Sequence, residues 1–114
     1  MHVFTDIAVP FEVDGTGELL CPSCGSHYLH HDKVHIYSRA EEDATSGLHV
    51  VVAPGGEVTS DLTMRHNPSR RRDGLRIEFW CEECHAKPWL DLAQHKGNTH
   101  LCWANGSELQ GRKG

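Results

Sequence analysis

Apolar and polar residues alternate with a period of two in most of the patterned stretches of this chain, which is the pattern of half-buried strands. Ile7, Val9, Phe11 and Val13 alternate with Ala8, Pro10, Glu12 and Asp14, so residues 1–14 read as a strand. Pro10 cannot donate to a ladder, which puts that strand at an edge. Gly15-Thr16-Gly17 turns the chain. Over 33–39, Val34 and Ile36 share one face and His35 and Tyr37 the other. The run Leu48-His49-Val50-Val51-Val52-Ala53 is the most strand-prone in the chain, and with the polar connector 40–47 it predicts a hairpin. Leu75 to Trp80 alternate again. In 88–95, Leu90 and Leu92 oppose Trp89, Asp91 and Ala93. After a turn at Lys96-Gly97-Asn98, residues 99–104 return with Leu101 and Trp103 on one face. These three segments predict a meander.

Between Pro54-Gly55-Gly56 and Gly74 no apolar period persists, so 54–74 is expected to be a long loop, with one helical turn at 60–66 capped by Ser60. Loops of that length in a compact domain are uncommon and are usually functional or disordered. The tail 105–114 is almost devoid of apolar residues and is expected to be disordered. No heptads or internal repeats run along the chain.

Cysteine spacing adds what periodicity does not contain. Cys21-Pro22-Ser23-Cys24-Gly25 and Cys81-Glu82-Glu83-Cys84-His85 are two C-x-x-C turns, 60 residues apart from first cysteine to first cysteine. Such a turn aims two sulfurs at one ion, and two of them supply four thiolates for one tetrahedral zinc. Pro22 pre-sets the first turn, and Gly25 can take the positive φ that follows. His85 holds the equivalent place in the second turn and is expected to share that conformation. Four cysteines have two other common uses. Disulfides belong to an oxidising compartment, for which no secretory signal speaks. A thioredoxin-like site needs a βαβ setting, and no helix pattern follows either turn.

Composition supports a structural metal. With 114 residues, 38 % hydrophobic and 7 % aromatic, the chain is the size of one domain with a small core. Zinc binding would supply the missing folding free energy. The formal charge is −5, and four thiolates on one dication add about −2. That sum is not the charge of a general nucleic-acid binder, but the charges are segregated. Glu41-Glu42-Asp43 form an acidic run, and Arg65, Arg70, Arg71, Arg72 and Arg76 a basic one. No stretch approaches the ~20 apolar residues of a membrane span, so the expected setting is the cytoplasm.

Several side chains are candidates for chemistry. Cys21, Cys24, Cys81 and Cys84 are expected to be closed structural ligands, since a catalytic zinc keeps an open position. Arg65, Arg70, Arg71, Arg72, Arg76 and Lys96 are the binding candidates, because guanidinium forks suit phosphates. Trp80, Trp89 and Trp103 would stack bases if exposed, but a chain this poor in aromatics is expected to bury them. His30, His31, His95, His100 and Cys102 could make a second site, although their spacing matches no metal motif.

Two knuckles gripping one metal resemble the zinc-ribbon class, a resemblance that covers the knuckles and 75–104. It implies a β fold with a structural zinc and no single function. The turn Cys21-Pro22-Ser23-Cys24-Gly25-Ser26, the run Asn67-Pro68-Ser69-Arg70-Arg71-Arg72-Asp73-Gly74, Phe79-Trp80-Cys81-Glu82-Glu83-Cys84, and Gln94-His95-Lys96-Gly97-Asn98-Thr99 are together similar to small proteins of actinobacteria and their bacteriophages. That similarity implies a phage or mobile-element origin. The stretch Arg70-Arg71-Arg72-Asp73-Gly74 also resembles the charged tip of transcription-elongation-factor ribbons. Only Asp73 stands where those carry an acidic pair, so no polymerase-cleavage role follows.

The sequence therefore predicts a mainly β protein: a zinc-ribbon-like domain over 1–104, an antiparallel sheet with a four-cysteine core, an inserted hairpin and the long loop 54–74. It predicts a non-enzymatic accessory protein with one structural zinc. The basic loop would bind nucleic acid or the acidic surface of a host nucleic-acid-handling protein. The alternatives are a protein-interaction module without nucleic-acid contact and a small thiol- or histidine-dependent enzyme. A sheet edge could support a homo-oligomer.

Overall fold

The structure, a computed structural model, describes residues 17–41 and 45–105. The strand expected at 1–14, most of its following turn, most of the acidic run and the tail beyond Asn105 lie outside the described residues.

Six antiparallel strands form one sheet: β1 (Leu29–Arg39), β2 (Ser46–Val52), β3 (Val58–Thr63), β4 (Gly74–Cys81), β5 (Pro88–His95) and β6 (Asn98–Asn105). Their spatial order is β3-β2-β1-β4-β5-β6. Two three-stranded meanders thus meet at their first strands, β1 against β4. Among the described residues there is no helix, and so none long and apolar enough to cross a membrane. The hairpin β1–β2 and the meander β4–β5–β6 agree with the alternation in the sequence. The β5–β6 turn is tight because Lys96 and Gly97 both take positive φ, 50° and 84°, as a two-residue hairpin turn of the I′ kind requires.

The expected loop 54–74 is shorter than its sequence suggests. Residues 58–63 form β3, and Ser60 pairs with Val50 rather than capping a helical turn. Val58, Ser60 and Leu62 do alternate with Thr59, Asp61 and Thr63. The pattern is faint because every residue of this edge strand is exposed, so no strong apolar contrast is required. β1 begins at Leu29, earlier than expected, and an irregularity between His31 and Val34 shifts its register on β4.

Period-two alternation sorts the sheet into two unlike faces. Val58, Val52, Val34, Ile77, Leu90 and Trp103 form one continuous cross-strand row. Beside it run Val50, Ile36, Leu75, Leu92 and Leu101. On this apolar face Leu90 and Trp103 are buried, with Phe79 edge-on to the Trp103 ring at 5.8 Å. Leu48, Val58 and Leu62 at the β3 side stay exposed.

The other face is polar and is covered by the crossover 64–73, which must pass over β2 and β1 to reach β4. Met64 and Ser69 of the crossover are buried. Gly74 shows how closely it packs. A Cβ at Gly74 would point onto this face and collide with the Asn67 side chain and with the Pro68 ring, 2.9 Å away. Only glycine lets the crossover approach the sheet there.

A four-cysteine centre and a basic rim at opposite ends of the sheet

The antiparallel pairing of β1 with β4 puts Leu29 beside Cys81, so the first knuckle, just before β1, meets the second, just after β4. Both turns close alike. Gly25 N–H donates to the Cys21 carbonyl at 2.8 Å, and His85 N–H to the Cys81 carbonyl at 3.1 Å. Cys21 N–H reaches Ser26, and Cys81 N–H reaches Ala86, each at 2.9 Å. Gly25 and His85 both take positive φ, 79° and 64°, as their places in the turns predict. Histidine there is strained relative to glycine, and the knuckle holds it.

Four sulfurs result within 4.8 Å of one another. Cys21 Sγ lies 3.7 Å from Cys84 Sγ, and Cys24 Sγ 3.7 Å from Cys81 Sγ. A disulfide needs ~2.05 Å, so these are not disulfides. A tetrahedron with metal–sulfur bonds of ~2.3 Å has edges of about 3.8 Å, and the cluster already has that size. Ser23 N–H approaches Cys21 Sγ at 3.4 Å. The Cys81 thiol is pushed down to about 6, first by the backbone N–H of Cys84. Cys24 is pushed up to about 12: the backbone N–H of Ser26 works the other way, but burial and the neighbouring sulfurs outweigh it. A cation bound at this centre would favour the thiolate form of its ligands. The four cysteines are positioned to bind one metal ion.

The knuckles also organise an aromatic pair. Glu82 N–H donates to the Tyr28 carbonyl at 3.0 Å, tying the second knuckle to the chain entering β1. The Glu82 carboxylate lies 2.6 Å from His30 Nε2, and the His30 ring stacks on Trp80 at 4.2 Å and 11°. Trp80 is 40 % exposed, unlike buried Trp103, and Trp89 lies under the Arg76 guanidinium at 4.4 Å.

The basic loop lies at the other end of β1 and β4. About eight residues of strand separate it from the metal centre, roughly 25 Å. Hydrogen bonds hold it. Asn67 Oδ1 accepts from Ser69 N–H at 2.9 Å, and its Nδ2 donates to the Arg72 carbonyl at 2.9 Å. Ser69 Oγ donates to the Gln94 carbonyl at 2.8 Å. Arg39 N–H donates to Asp73 Oδ1 at 2.8 Å, and its guanidinium donates to the Ser69 carbonyl at 2.9 Å. An open groove of about 430 Å³ results, lined by Arg39, Arg71, Arg72 and Lys96 with Glu41 and Asp73. Arg65 and Arg70 are exposed outside it. Arg39 was not expected; as the last residue of a strand it carries no sequence signal for this groove.

Arg76 leaves the expected binding set. It is buried, and it donates to both carboxylate oxygens of Asp91, at 2.7 and 2.9 Å. Alternation puts it on the polar face beneath the crossover, where its guanidinium is already engaged.

The expected second site does not assemble. His30 and His31 stand at the knuckle end, His95 and His100 at the opposite end of the sheet. The latter two rings meet edge to face at 5.8 Å. Cys102 lies opposite Asp91, its thiol 3.3 Å from the Trp103 carbonyl. Among the described residues, the four cysteines of the knuckles are the one group arranged to hold a metal. A different histidine set does assemble. Asp61 Oδ1, His49, His35 and Glu78 Oε2 form a chain across four strands, with contacts of 3.1, 3.0 and 2.6 Å. Tyr37 stacks on His49 at 4.3 Å. These residues are far apart in sequence, and only strand order brings them together.

In comparisons with known proteins, no family model matches this chain, and no curated protein and no solved structure matches it either.

Proposed function

We propose that this chain is a non-catalytic, zinc-stabilised binding protein whose basic rim contacts the phosphates of nucleic acid. The observation carrying the reading is the open groove of about 430 Å³ lined by Arg71, Arg72 and Lys96, with Arg39, Glu41 and Asp73 in its wall. Arginine forks engage phosphate oxygens bidentately, and the hydrogen-bonded crossover spares them part of the ordering cost of binding. Zinc is the metal that a four-thiolate tetrahedron of this size suits, and four protein ligands leave no position for a reactive water. The close-set but unbonded sulfurs fit a reducing, cytoplasmic setting. A phage or mobile-element origin rests on the motif resemblance alone.

The second reading, an acidic face of a nucleic-acid-handling protein, draws on the net charge of −5, which opposes long-range attraction to a polyanion.

The test is a titration of zinc-loaded protein against labelled single- and double-stranded oligonucleotides at ~50 and ~200 mM salt, with an Arg70→Ala/Arg71→Ala/Arg72→Ala variant alongside. About four phosphate contacts predict a loss on the order of 10²-fold across that salt range. The triple variant is expected to bind more weakly and with a flatter salt slope. No binding by folded, metal-loaded protein would remove nucleic acid and leave the protein partner.

A further inference from the structure

We infer that Trp80 is a stacking platform for a single unpaired nucleobase, at a site separate from the basic rim. The inference rests on the nucleic-acid reading above for the class of ligand, and on its own geometry for the place. Of the three tryptophans, Trp103 is buried and Trp89 is covered by Arg76, whereas Trp80 stays 40 % exposed. The exposed part of this indole lies beside a cavity, and its ring is fixed by neighbours.

One side of its ring is taken by His30, parallel at 4.2 Å, and His30 is held at 2.6 Å by Glu82. Glu82 is an interior residue of the second knuckle, and its backbone is tied to Tyr28. The indole orientation is therefore set before any ligand arrives, which removes much of the ordering cost of stacking. Trp80 also lines an open cavity of about 270 Å³ with Asp32, Cys81, His85 and Lys87. The wall chemistry fits a nucleotide. The indole offers a sequence-tolerant π face. Lys87 offers an ammonium for the attached phosphate. Asp32 offers an acceptor for an exocyclic amino group, so bases carrying one are favoured over uracil and thymine. A base inside a duplex cannot present its face, so the ligand is single-stranded or a free nucleotide. The metal acquires a second role here, because the knuckle it closes carries the residue that orients the platform.

Intrinsic fluorescence tests this in the zinc-loaded chain. Adenosine and cytidine monophosphates are titrated into wild type, Trp80→Leu, and the triple arginine variant. The expected result is saturable quenching in wild type and in the triple arginine variant, and its loss in Trp80→Leu. Affinity read by calorimetry, which does not depend on the indole, should fall about tenfold or more in Trp80→Leu, as loss of one base stack implies. Lys87→Gln, which removes the ammonium and leaves both rings in the sequence, should weaken the monophosphate more than the nucleoside. It keeps the test decisive if Trp80→Leu misfolds.

Quenching that persists unchanged in folded Trp80→Leu would overturn the inference. So would equal quenching by inorganic phosphate, or quenching by aromatic peptides and not by nucleotides, which would assign the cavity to a protein partner. Salt-sensitive oligonucleotide binding that is lost with the arginines but indifferent to Trp80→Leu would sink the platform and leave the rim standing. Nucleotide quenching without oligonucleotide binding at the rim would do the reverse.

Discussion

Arg76 and Asp91 face each other on β4 and β5, with side chains only 10 % and 12 % exposed, and their two hydrogen bonds are the bidentate kind. A charge removed from such a pair leaves its partner buried and uncompensated. Arg76→Ala is therefore expected to cost about 3–5 kcal/mol, and an Arg76→Met/Asp91→Leu double variant to recover most of that loss. Urea unfolding of the zinc-loaded proteins measures both; a single-variant loss below ~1 kcal/mol would mean that the pair is effectively solvated. The residue also shows where reading the sequence stops. Arg76 looks like one more member of the basic run. Its place in the alternation of 75–80 was legible, but which face would lie beneath the crossover was not.

At the scale of elements, the chain Asp61–His49–His35–Glu78 links β3, β2, β1 and β4 through side chains. The hydrogen bond from His35 is the first cause that holds the Glu78 carboxyl below the ordinary glutamate range. Asp61 is lowered too, first by the Thr63 backbone N–H. A carboxyl depressed in the folded state contributes stability that is present above its unfolded pKa, ~4.3 for glutamate, and is lost as pH falls through the folded value. Glu78→Gln is thus expected to be less stable than wild type near pH 6, with the gap closing below about pH 4. Denaturation of both proteins over a pH series checks this. Loss of metal in acid affects both proteins alike, so their difference isolates Glu78. A gap that stays constant with pH would rule out the ionised Glu78 carboxylate as its source.

For the molecule as a whole, the long axis of β1 and β4 separates the four-cysteine centre from the basic rim. The metal centre closes one end, and the rim at the other is held by Asn67, Ser69, Asp73 and Arg39. The two ends should respond independently. The triple arginine variant is expected to keep one zinc per chain and a stability within about 0.5 kcal/mol of wild type, as exposed substitutions do. Chelation should lower the thermal midpoint of both proteins equally, because metal binding supplies folding free energy. Calorimetry with and without chelator, together with zinc analysis, is the measurement. A variant that loses zinc would show the ends to be coupled.

Local chemistry determined a good part of this protein. Two C-x-x-C turns declare a four-thiolate centre through spacing alone, and the positive φ of Gly25 and His85 follows from their place in the knuckles. Strong alternation declared the strands around Val34, Val50, Ile77, Leu90 and Leu101 because each must bury one face. Tertiary structure decided the rest. β3 is an edge strand with every residue exposed, so burial wrote almost no contrast into its sequence. The order β3-β2-β1-β4-β5-β6, which no single segment encodes, joined Asp61 to Glu78 through two histidines. It also buried Arg76 and Trp103, left Trp80 exposed, and set the basic rim far from the metal.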